Sequence, residues 1–333
     1  MVPFFRGADV AAAVSPQRAI EAVREAFVAY ARGEWSMPPK VYVPAYPAGD
    51  FRAMPALGAG HALLKWVTSF PGNPAAGLPT VTGIVVLSDA SNGMPKVLLD
   101  AAALTALRTG AAAVLAAETL GRRGASAAAV VGAGVNGRAV ARTFRAVGRE
   151  VVLWDVDRTR AEAVADELGA SVAATRDEAL SADVVATVTP GREIVIGEGS
   201  LRPGQHASLM GADGPGKAEI AVRELARVHV FCDDWEQAGT HGTLDPEASV
   251  RIFCDEWEQA SKSGDLKAAV EQGVLAREDV AQLGDVLAGQ AAGRQSDDDI
   301  TIFDSTGLAI QDLAIALAAL ERVSELDLQY IDF

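Results

Sequence analysis

The chain has 333 residues, half of them hydrophobic, and 29 lysines and arginines against 44 aspartates and glutamates give a net charge of −15. This length predicts about two domains, each with a buried core. An acidic surface repels nucleic acid and anionic membranes, so neither is expected as a partner. Two cysteines in so long a chain argue against a disulfide framework and fit a reducing cytosol.

The most apolar stretches predict neither a signal peptide nor a membrane span. The first residues, MVPFFRGADVAAAV, are interrupted by Asp9 and are followed by no cleavage-like site. The Ala-rich stretch 101–117 carries Arg108 near its centre, and no run reaches the roughly 18 apolar residues that a span needs. We therefore expect a cytoplasmic protein.

The N-terminal third predicts a helix followed by antiparallel strands. Residues 16–32 place Ile20, Val23, Phe27 and Tyr30 at helical spacing, with charged residues on the opposite face. Extended segments separated by Gly, Pro and Asn turns come next. These segments are KVYVPAY, FRAMPAL, HALLKWVTSF and TVTGIVVLSD.

Residues 127–196 alternate strand and helix, which is typical of a parallel sheet covered by helices. QHASLMGAD and ITIFD are predicted as further strands, and a last helix covers LAIQDLAIALAALERV. The fold class is therefore predicted as α/β, with a Rossmann-type doubly wound sheet in residues 121–304. A smaller α+β domain with an antiparallel sheet is expected in residues 1–120, completed by residues 305–333.

A glycine-rich turn, AAAVVGAGVNGRAV, lies between a predicted strand and a predicted helix and contains Gly132, Gly134 and Gly137 at G-x-G-x-x-G spacing. In this context the small residues let the backbone approach a pyrophosphate at a helix N-terminus. Asp155 ends the next strand, where a carboxylate binds the ribose hydroxyls and repels a 2′-phosphate. The turn predicts NAD as cofactor, held by Gly132, Gly134, Val135, Asn136 and Gly137.

Lys65 lies in the strand HALLKWV between apolar neighbours. Desolvation lowers the pKa of a lysine toward the range that is useful for proton transfer. A lysine that extends from a strand edge into water has the same local sequence, and this pattern does not distinguish the two.

Two arginines also stand alone among apolar residues: Arg108 in AAALTALRTGAAAVLAA and Arg52 in FRAMPAL. A guanidinium in such surroundings needs an anion, either a bound carboxylate or phosphate or an internal ion-pair partner. Asp213 follows the strand HASLMGAD, at the sheet edge where open α/β sheets bind ligands. It is a candidate for proton exchange, although an aspartate in a Gly-Pro turn has the same signature.

These stretches resemble the ornithine cyclodeaminase/mu-crystallin family, including its alanine dehydrogenase branch. The resemblance rests on FRAMPAL, LLKWVTSFPGNPAAGLPTVTGIVVLSD, LTALRTGAAAVLAA, VVGAGVNGRAV, GADGPGKAE and ITIFDSTGLAIQDLA, which span nearly the whole chain. It implies a homodimer whose N-terminal antiparallel domains pack together, with a Rossmann domain in each subunit.

The resemblance also implies roles for individual residues. The catalytic positions of the family match Lys65 and Asp213, and its substrate-binding positions match Arg52, Arg108 and Thr82. Positions that contact or border the dinucleotide in the family match Thr109, Lys217 and Ser305.

More than one reaction is compatible with this site. We predict an NAD-dependent oxidoreductase that interconverts a small L-amino acid and its imino or oxo acid, like an alanine dehydrogenase or an imine reductase. The alternatives are an ornithine cyclodeaminase-type lyase, which recycles NAD, and a mu-crystallin-like ligand-binding protein. Because the first two need the same cations, lysine and aspartate, these residues do not decide between them.

A near-repeat occupies residues 231–260: CDDWEQA from Cys232 recurs as CDEWEQA from Cys254. Two copies are too few for a solenoid. Metal ligation is not predicted, because Cys232, Cys254, His229 and His241 lack compact metal-ligand spacing. The earlier copy is interpreted as an inserted duplication that serves as scaffold.

Overall fold

A computed structural model describes residues 1–212, 217–225, 229–232, 265–275 and 280–332. The chain divides into two compact units: unit 1 comprises Met1–Arg108 and Leu308–Phe333, and unit 2 comprises Thr109–Gly307. Their boundary lies inside a continuous helix, whereas the sequence predicts it at the end of that helix, before Gly121. Gly121 follows the last residue of this helix, but only the first part of the helix belongs to unit 1, so the boundary falls within the helix.

Strands predominate in unit 1, whereas strands and helices alternate through much of unit 2. The strands are β1 (Val2–Phe5), β2 (Val41–Ala45), β3 (Gly49–Gly58), β4 (His61–Ser69), β5 (Val81–Asp89), β6 (Pro95–Asp100), β7 (Ala127–Val131), β8 (Glu150–Trp154), β9 (Ser171–Val172), β10 (Val184–Thr187), β11 (His206–Leu209), β12 (His229–Cys232), β13 (Ala281–Gln282), β14 (Thr301–Asp304) and β15 (Gln329–Ile331). The α-helices are α1 (Gly7–Ala13), α2 (Pro16–Ala31), α3 (Ala101–Leu120), α4 (Val135–Ala146), α5 (Arg158–Leu168), α6 (Arg176–Leu180), α7 (Val222–Leu225), α8 (Asp265–Glu271), α9 (Leu283–Leu287) and α10 (Ala309–Leu320). Short 3₁₀ turns occupy Asn73–Ala76 and Val323–Glu325.

Unit 1 is built on a seven-stranded sheet in the order β15-β1-β6-β5-β4-β3-β2. The run from β2 to β6 is antiparallel, as the sequence predicts for β2 to β5, and β6 was not predicted. The parallel pairing of β1 with β6 and the antiparallel pairing of β15 with β1 were not predicted. Both involve strands of three or four residues, which are too short for alternation to be recognised.

The two faces of this sheet differ. Helix α10 contacts β3 and β4 and packs on α2, and it is buried over almost its whole length. Met54, Leu63, Val67 and Val85 lie on the buried face of the sheet. Lys65 shares that face, opposite Met54 on β3 and Val85 on β5. Period-2 alternation therefore places the side chain of Lys65 in the core of unit 1.

The other face of the sheet exposes apolar side chains. Phe51 and Trp66 stack with ring centroids 5.7 Å apart. Leu64, Trp66 and Ile84 are more than a third exposed and lie opposite or diagonal to one another on β4 and β5. Val41, Val43 and Leu57 extend the same exposed face, which we call the outer sheet face. Monomeric proteins rarely expose contiguous apolar surface of this kind.

Unit 2 contains an eight-stranded, wholly parallel sheet in the order β13-β12-β14-β11-β10-β7-β8-β9. Strand order reverses between β7 and β10, as in doubly wound dinucleotide-binding folds, where ligands lie at the carboxyl ends of the strands beside this point. The predicted fold class, a doubly wound parallel sheet with a second antiparallel-containing sheet, is confirmed.

His206 of β11 is fully buried in unit 2. Its two ring nitrogens lie 3.0 Å from the hydroxyl oxygens of Thr301 and Ser208. Burial, and the cations Arg294 and Arg149, lower the pKa of His206 to about 3. The ring is therefore neutral in the folded protein at ordinary pH.

Helix α3 has the length and mean hydropathy of a membrane span, but 67% of its most apolar window is buried inside the protein. Its apolar character is thus that of a core helix.

Candidate functional site

The glycine-rich turn joins β7 to α4 at the point where strand order reverses. Gly132 has φ 105°, and a Cβ there would lie 2.6 Å from the carbonyl oxygen of Val188. A Cβ on Gly137 would lie only 1.8 Å from the carbonyl oxygen of Gly132. Both glycines are therefore required by the tight packing of the turn itself.

Gly134 is different, because a Cβ at this position would meet no atom within 4 Å. It is the N-cap of α4 and brings no side-chain oxygen to the first turn. Val135 is exposed and Asn136 is half-buried, so the first turn of the helix is accessible. An open cradle at a helix N-terminus suits the pyrophosphate of a dinucleotide. The residues present fit NAD.

Asp155 follows β8 and is held in place by the glycine-rich turn. One carboxylate oxygen accepts from the backbone N–H of Ala133 at 2.7 Å, and the other accepts from that of Asp157 at 2.8 Å. Arg160 Nη1 lies 3.2 Å from the second oxygen. Arg158, the other nearby cation, pairs with Glu162 at 2.7 Å. The carboxylate thus stands at the strand end where ribose hydroxyls bind in such folds.

The other predicted cofactor contacts in unit 2 are placed as follows. Thr109 is buried, and its hydroxyl forms no hydrogen bond with any residue that the structure describes. Ser305 follows β14, is buried, and donates its backbone N–H to Leu209 at 2.9 Å. Lys217 packs beside Gly191 in the loop after β10. Asp213 lies outside the described residues, so its catalytic role remains a prediction.

Glu219 was not singled out from the sequence, yet it ties two strand ends together. Its buried carboxylate accepts from Thr187 at 2.8 Å, from the hydroxyl and N–H of Thr189 at 2.7 Å, and from the N–H of Gly211 at 2.8 Å. Burial raises the pKa of Glu219, and these donors oppose that shift. Asp265, which accepts from the N–H groups of Glu219 and Ile220, has its pKa raised to about 8 by burial and by Glu219. The network fixes the carboxyl ends of β10 and β11.

In unit 1, Lys65 is 1% exposed and lies 2.9 Å from a carboxylate oxygen of Asp312. Asp312 is fully buried on α10. Burial lowers the pKa of Lys65 to about 8, with Arg108 and Lys40 acting in the same direction and Asp312 opposing them. The lysine can therefore exist in either protonation state near neutral pH, as a general acid or base must. It does not extend from a strand edge into water.

Arg108, the last residue of unit 1 in α3, joins the same cluster. Its Nε lies 3.6 Å from the Asp312 oxygen that Lys65 contacts, and this Nε is buried without a hydrogen bond among the described residues. Arg52 lies on the same sheet face as Lys65, with its Nε 2.6 Å from Asp50. Its guanidinium carbon is also 5.3 Å from the centre of the Tyr42 ring.

Thr82 is not brought together with these residues. It lies on the outer sheet face, where its hydroxyl is 3.1 Å from that of Thr68. Alternation along β5 places Thr82 on the face opposite Val85, which is the partner of Lys65. Its proposed substrate contact therefore remains a prediction from the family alone.

Sequence reasoning missed Asp312, although a signal for it was present. Asp312 is the only charged residue between Leu308 and Leu320, just as Arg108 is within its own apolar stretch. Lone opposite charges in two apolar helices are candidates for one another's partner. Asp50 was missed because it belongs to a turn-rich stretch, where aspartate is common.

No group of three histidine, cysteine or acidic residues able to hold a metal occurs within the described residues. Most of the duplicated stretch, residues 231–260, lies outside the described residues, so the structure does not test whether it holds a metal. Cys254 and His241 lie outside the described residues, and only the backbone of β12 is described around His229 and Cys232.

A glycine-rich turn at the reversal point of a parallel sheet defines a dinucleotide-binding protein, in this case with a second unit that buries a cationic cluster. The sequence model of the ornithine cyclodeaminase/mu-crystallin family matches residues 4–327. The chain belongs to this family, which confirms the resemblance.

Three relatives illustrate the similarity. Alanine dehydrogenase of Archaeoglobus fulgidus is 41% identical over 321 residues, covering 94% of this chain and 92% of the relative. A solved archaeal alanine dehydrogenase dimer with bound NAD is 38% identical with a TM-score of 0.87, covering 100% of this chain and 99% of the other. Iminosuccinate reductase of Paracoccus denitrificans in complex with NAD⁺ is 26% identical with a TM-score of 0.84, covering 100% and 99%.

Proposed function

We propose that the protein is an NAD-dependent oxidoreductase that interconverts a small L-amino acid and its imino or oxo acid. The observation that carries the proposal is the buried Lys65–Asp312 pair with Arg108 beside it. A lysine with a pKa of about 8 suits proton exchange with the substrate nitrogen or with water. Alanine dehydrogenases and an imine reductase among the relatives support the same class of reaction.

The charges of unit 1 support an acidic substrate. One carboxylate oxygen of Asp312 lies 2.9 Å from Lys65 Nζ and 3.6 Å from Arg108 Nε, and this Nε forms no hydrogen bond among the described residues. Two cations that share one carboxylate carry a net positive charge, which a bound anion neutralises. An α-carboxylate supplies that anion, and Arg108 and Arg52 offer it planar, bidentate donors.

NAD is the proposed cofactor of unit 2, where it would accept or supply the hydride. Gly134 and the first turn of α4 would hold its pyrophosphate, and Asp155 its ribose hydroxyls. The carboxylate of Asp155 would repel a 2′-phosphate, which favours NAD over NADP. We also propose a cytoplasmic location, since the family resemblance and the two cysteines fit a reducing metabolic compartment.

An assay in two arms tests the function. NADH is offered with ammonia and either pyruvate or oxaloacetate, and separately L-ornithine or L-lysine is offered with catalytic NAD⁺. We expect NADH oxidation in the first arm and little ammonia release in the second. Ammonia release from ornithine without net change in NADH would indicate the lyase instead. Tight NADH binding with no turnover in either arm would indicate a binding protein.

The outer sheet face is proposed as the contact between two subunits of a homodimer. Trp66, Leu64 and Ile84 form exposed apolar surface at its centre. An isologous interface needs such a self-complementary patch, and the alanine dehydrogenase relative is a dimer.

Replacing Trp66 by lysine should convert the dimer to a monomer, because the charge would be buried in the interface. Light scattering after size-exclusion chromatography measures the mass. Met94→Lys is the matched control, since Met94 is 63% exposed in the turn between β5 and β6 and lies off this face. A Trp66→Lys protein that remains dimeric would place the interface elsewhere.

A further inference from the structure

Asp312 binds the amine of Lys65 more closely than any other described carboxylate. One of its oxygens, Oδ1, lies 2.9 Å from Lys65 Nζ and 3.6 Å from Arg108 Nε. The second oxygen, Oδ2, is buried and accepts no hydrogen bond from the described residues. A fully buried carboxylate with one oxygen still open must remain close to cations to be tolerated.

The other charges near Lys65 come from separate elements and act against its proton. Arg108 approaches from α3 and Lys40 from the segment before β2, and both are cations. On β3, Arg52 Nε lies 2.6 Å from a carboxylate oxygen of Asp50, so this strand contributes one positive and one negative charge. Burial adds to the effect of the cations, because an ammonium loses its hydration in the core. Asp312 alone among these groups favours the charged lysine.

We infer that Asp312 is a positioning residue that keeps Lys65 protonated and aimed, so that Lys65 can serve as the proton donor when an imine or oxo acid is reduced. The inference deepens the proposed function and rests on it. Without Asp312, burial and two cations would leave Lys65 neutral at the pH where a donor is needed. The pKa of Lys65, about 8 despite complete burial, fits a carboxylate that opposes the effect of burial.

Asp312→Asn tests this role, since the amide keeps the shape and one acceptor oxygen but removes the charge. We expect the limb on which kcat/KM for pyruvate with ammonia and NADH declines at high pH to move down by about two pH units. Activity at pH 6 should then fall only about twofold, whereas activity at pH 8 should drop by roughly fifty-fold. Glu321→Gln, which neutralises an exposed carboxylate at the end of the same helix, should leave the limb in place.

Thermal unfolding provides a readout that does not depend on turnover. The folded-state pKa of Lys65 lies below its ordinary value of 10.5, so stability falls as pH drops from 10.5 to about 8 and is level below that. In Asp312→Asn the fall should continue below pH 8, and the Tm deficit relative to the wild type should grow between pH 8 and pH 6. In a Lys65→Met background, the effect of Asp312→Asn on Tm should be the same at every pH in this range.

Two results would overturn the inference. One is a uniform loss of activity at all pH values with the limb unmoved, which is the signature of a merely structural residue. The other is a Tm deficit that is independent of pH when Lys65 is present. If no substrate is turned over by the wild type, the proposed function fails, while the unfolding measurements still decide whether Asp312 controls the proton on Lys65.

Discussion

Replacing Lys65 by methionine is expected to lower turnover by about 10²- to 10⁴-fold, the usual contribution of a positioned acid–base group. Methionine keeps the length and volume of the side chain, so the sheet should retain its packing. The affinity for NADH should be unchanged, because the glycine-rich turn and Asp155 belong to unit 2. Initial rates and the quenching of NADH fluorescence measure the two quantities.

Stability provides a further check on the same variant. Removing Lys65 leaves Asp312 without its closest partner, and breaking a buried ion pair costs about 3–5 kcal/mol. Adding Asp312→Asn to Lys65→Met should recover part of that loss without restoring turnover. Lys96→Met is the matched control, since Lys96 is an exposed lysine of β6, in the same sheet, paired with Asp89. Turnover that survives in Lys65→Met would remove Lys65 from the chemistry.

Gly134→Ala is expected to abolish most dinucleotide binding while leaving the folded protein as stable as before. Gly134 has φ −70°, which alanine adopts readily, and the added Cβ meets no atom within 4 Å. In the complex, however, that Cβ would occupy the space through which the pyrophosphate approaches the backbone. We expect NADH affinity to fall by at least about tenfold, or 1.4 kcal/mol, and Tm to remain level or rise slightly.

Substitutions at two other glycines serve as controls for Gly134→Ala. Gly72→Ala adds a methyl group at another open position in unit 1, with φ −80°, and should change neither Tm nor NADH affinity. Gly137→Ala should lower both, because its Cβ would collide with the carbonyl oxygen of Gly132. If Gly134→Ala bound NADH like the wild type, the pyrophosphate would have to bind away from this turn.

The sequence predicted the architecture well wherever a pattern was long or bounded by turns. Strands β3 to β5 are nine or ten residues long and rich in apolar side chains, and turns that contain glycine or proline separate them. Gly132, Gly134 and Gly137 carry a spacing that has a physical reason for each position. Strand β15, with three residues and every side chain exposed, offers no such pattern. Its place beside β1 depends on pairing with a residue more than 300 positions away.

The sequence indicated which types of residue form the site, but it did not indicate which residues pair with one another. Lys65 and Arg108 stood out as lone cations, and for Arg108 the sequence left open whether its anion is a ligand or an internal carboxylate. Both cations approach Asp312, from 247 positions away in the case of Lys65. Asp312 is a lone charge in the sequence, but only the tertiary fold shows that α10, at the C-terminal end of the chain, brings it to these cations. Thr82 shows the converse, since a match to a family position did not indicate which face of β5 it occupies.

The buried ring of His206 makes the stability of the sheet in unit 2 sensitive to acid. An unfolded histidine takes up a proton near pH 6.5, whereas the folded chain resists protonation down to about pH 3. As the pH falls from about 6.5 to about 3, the free energy of unfolding therefore decreases, and His206 causes no such decrease above pH 6.5. Storage and assay of this protein are safest on the neutral-to-alkaline side, where the imidazole is already in the form that Thr301 and Ser208 accommodate.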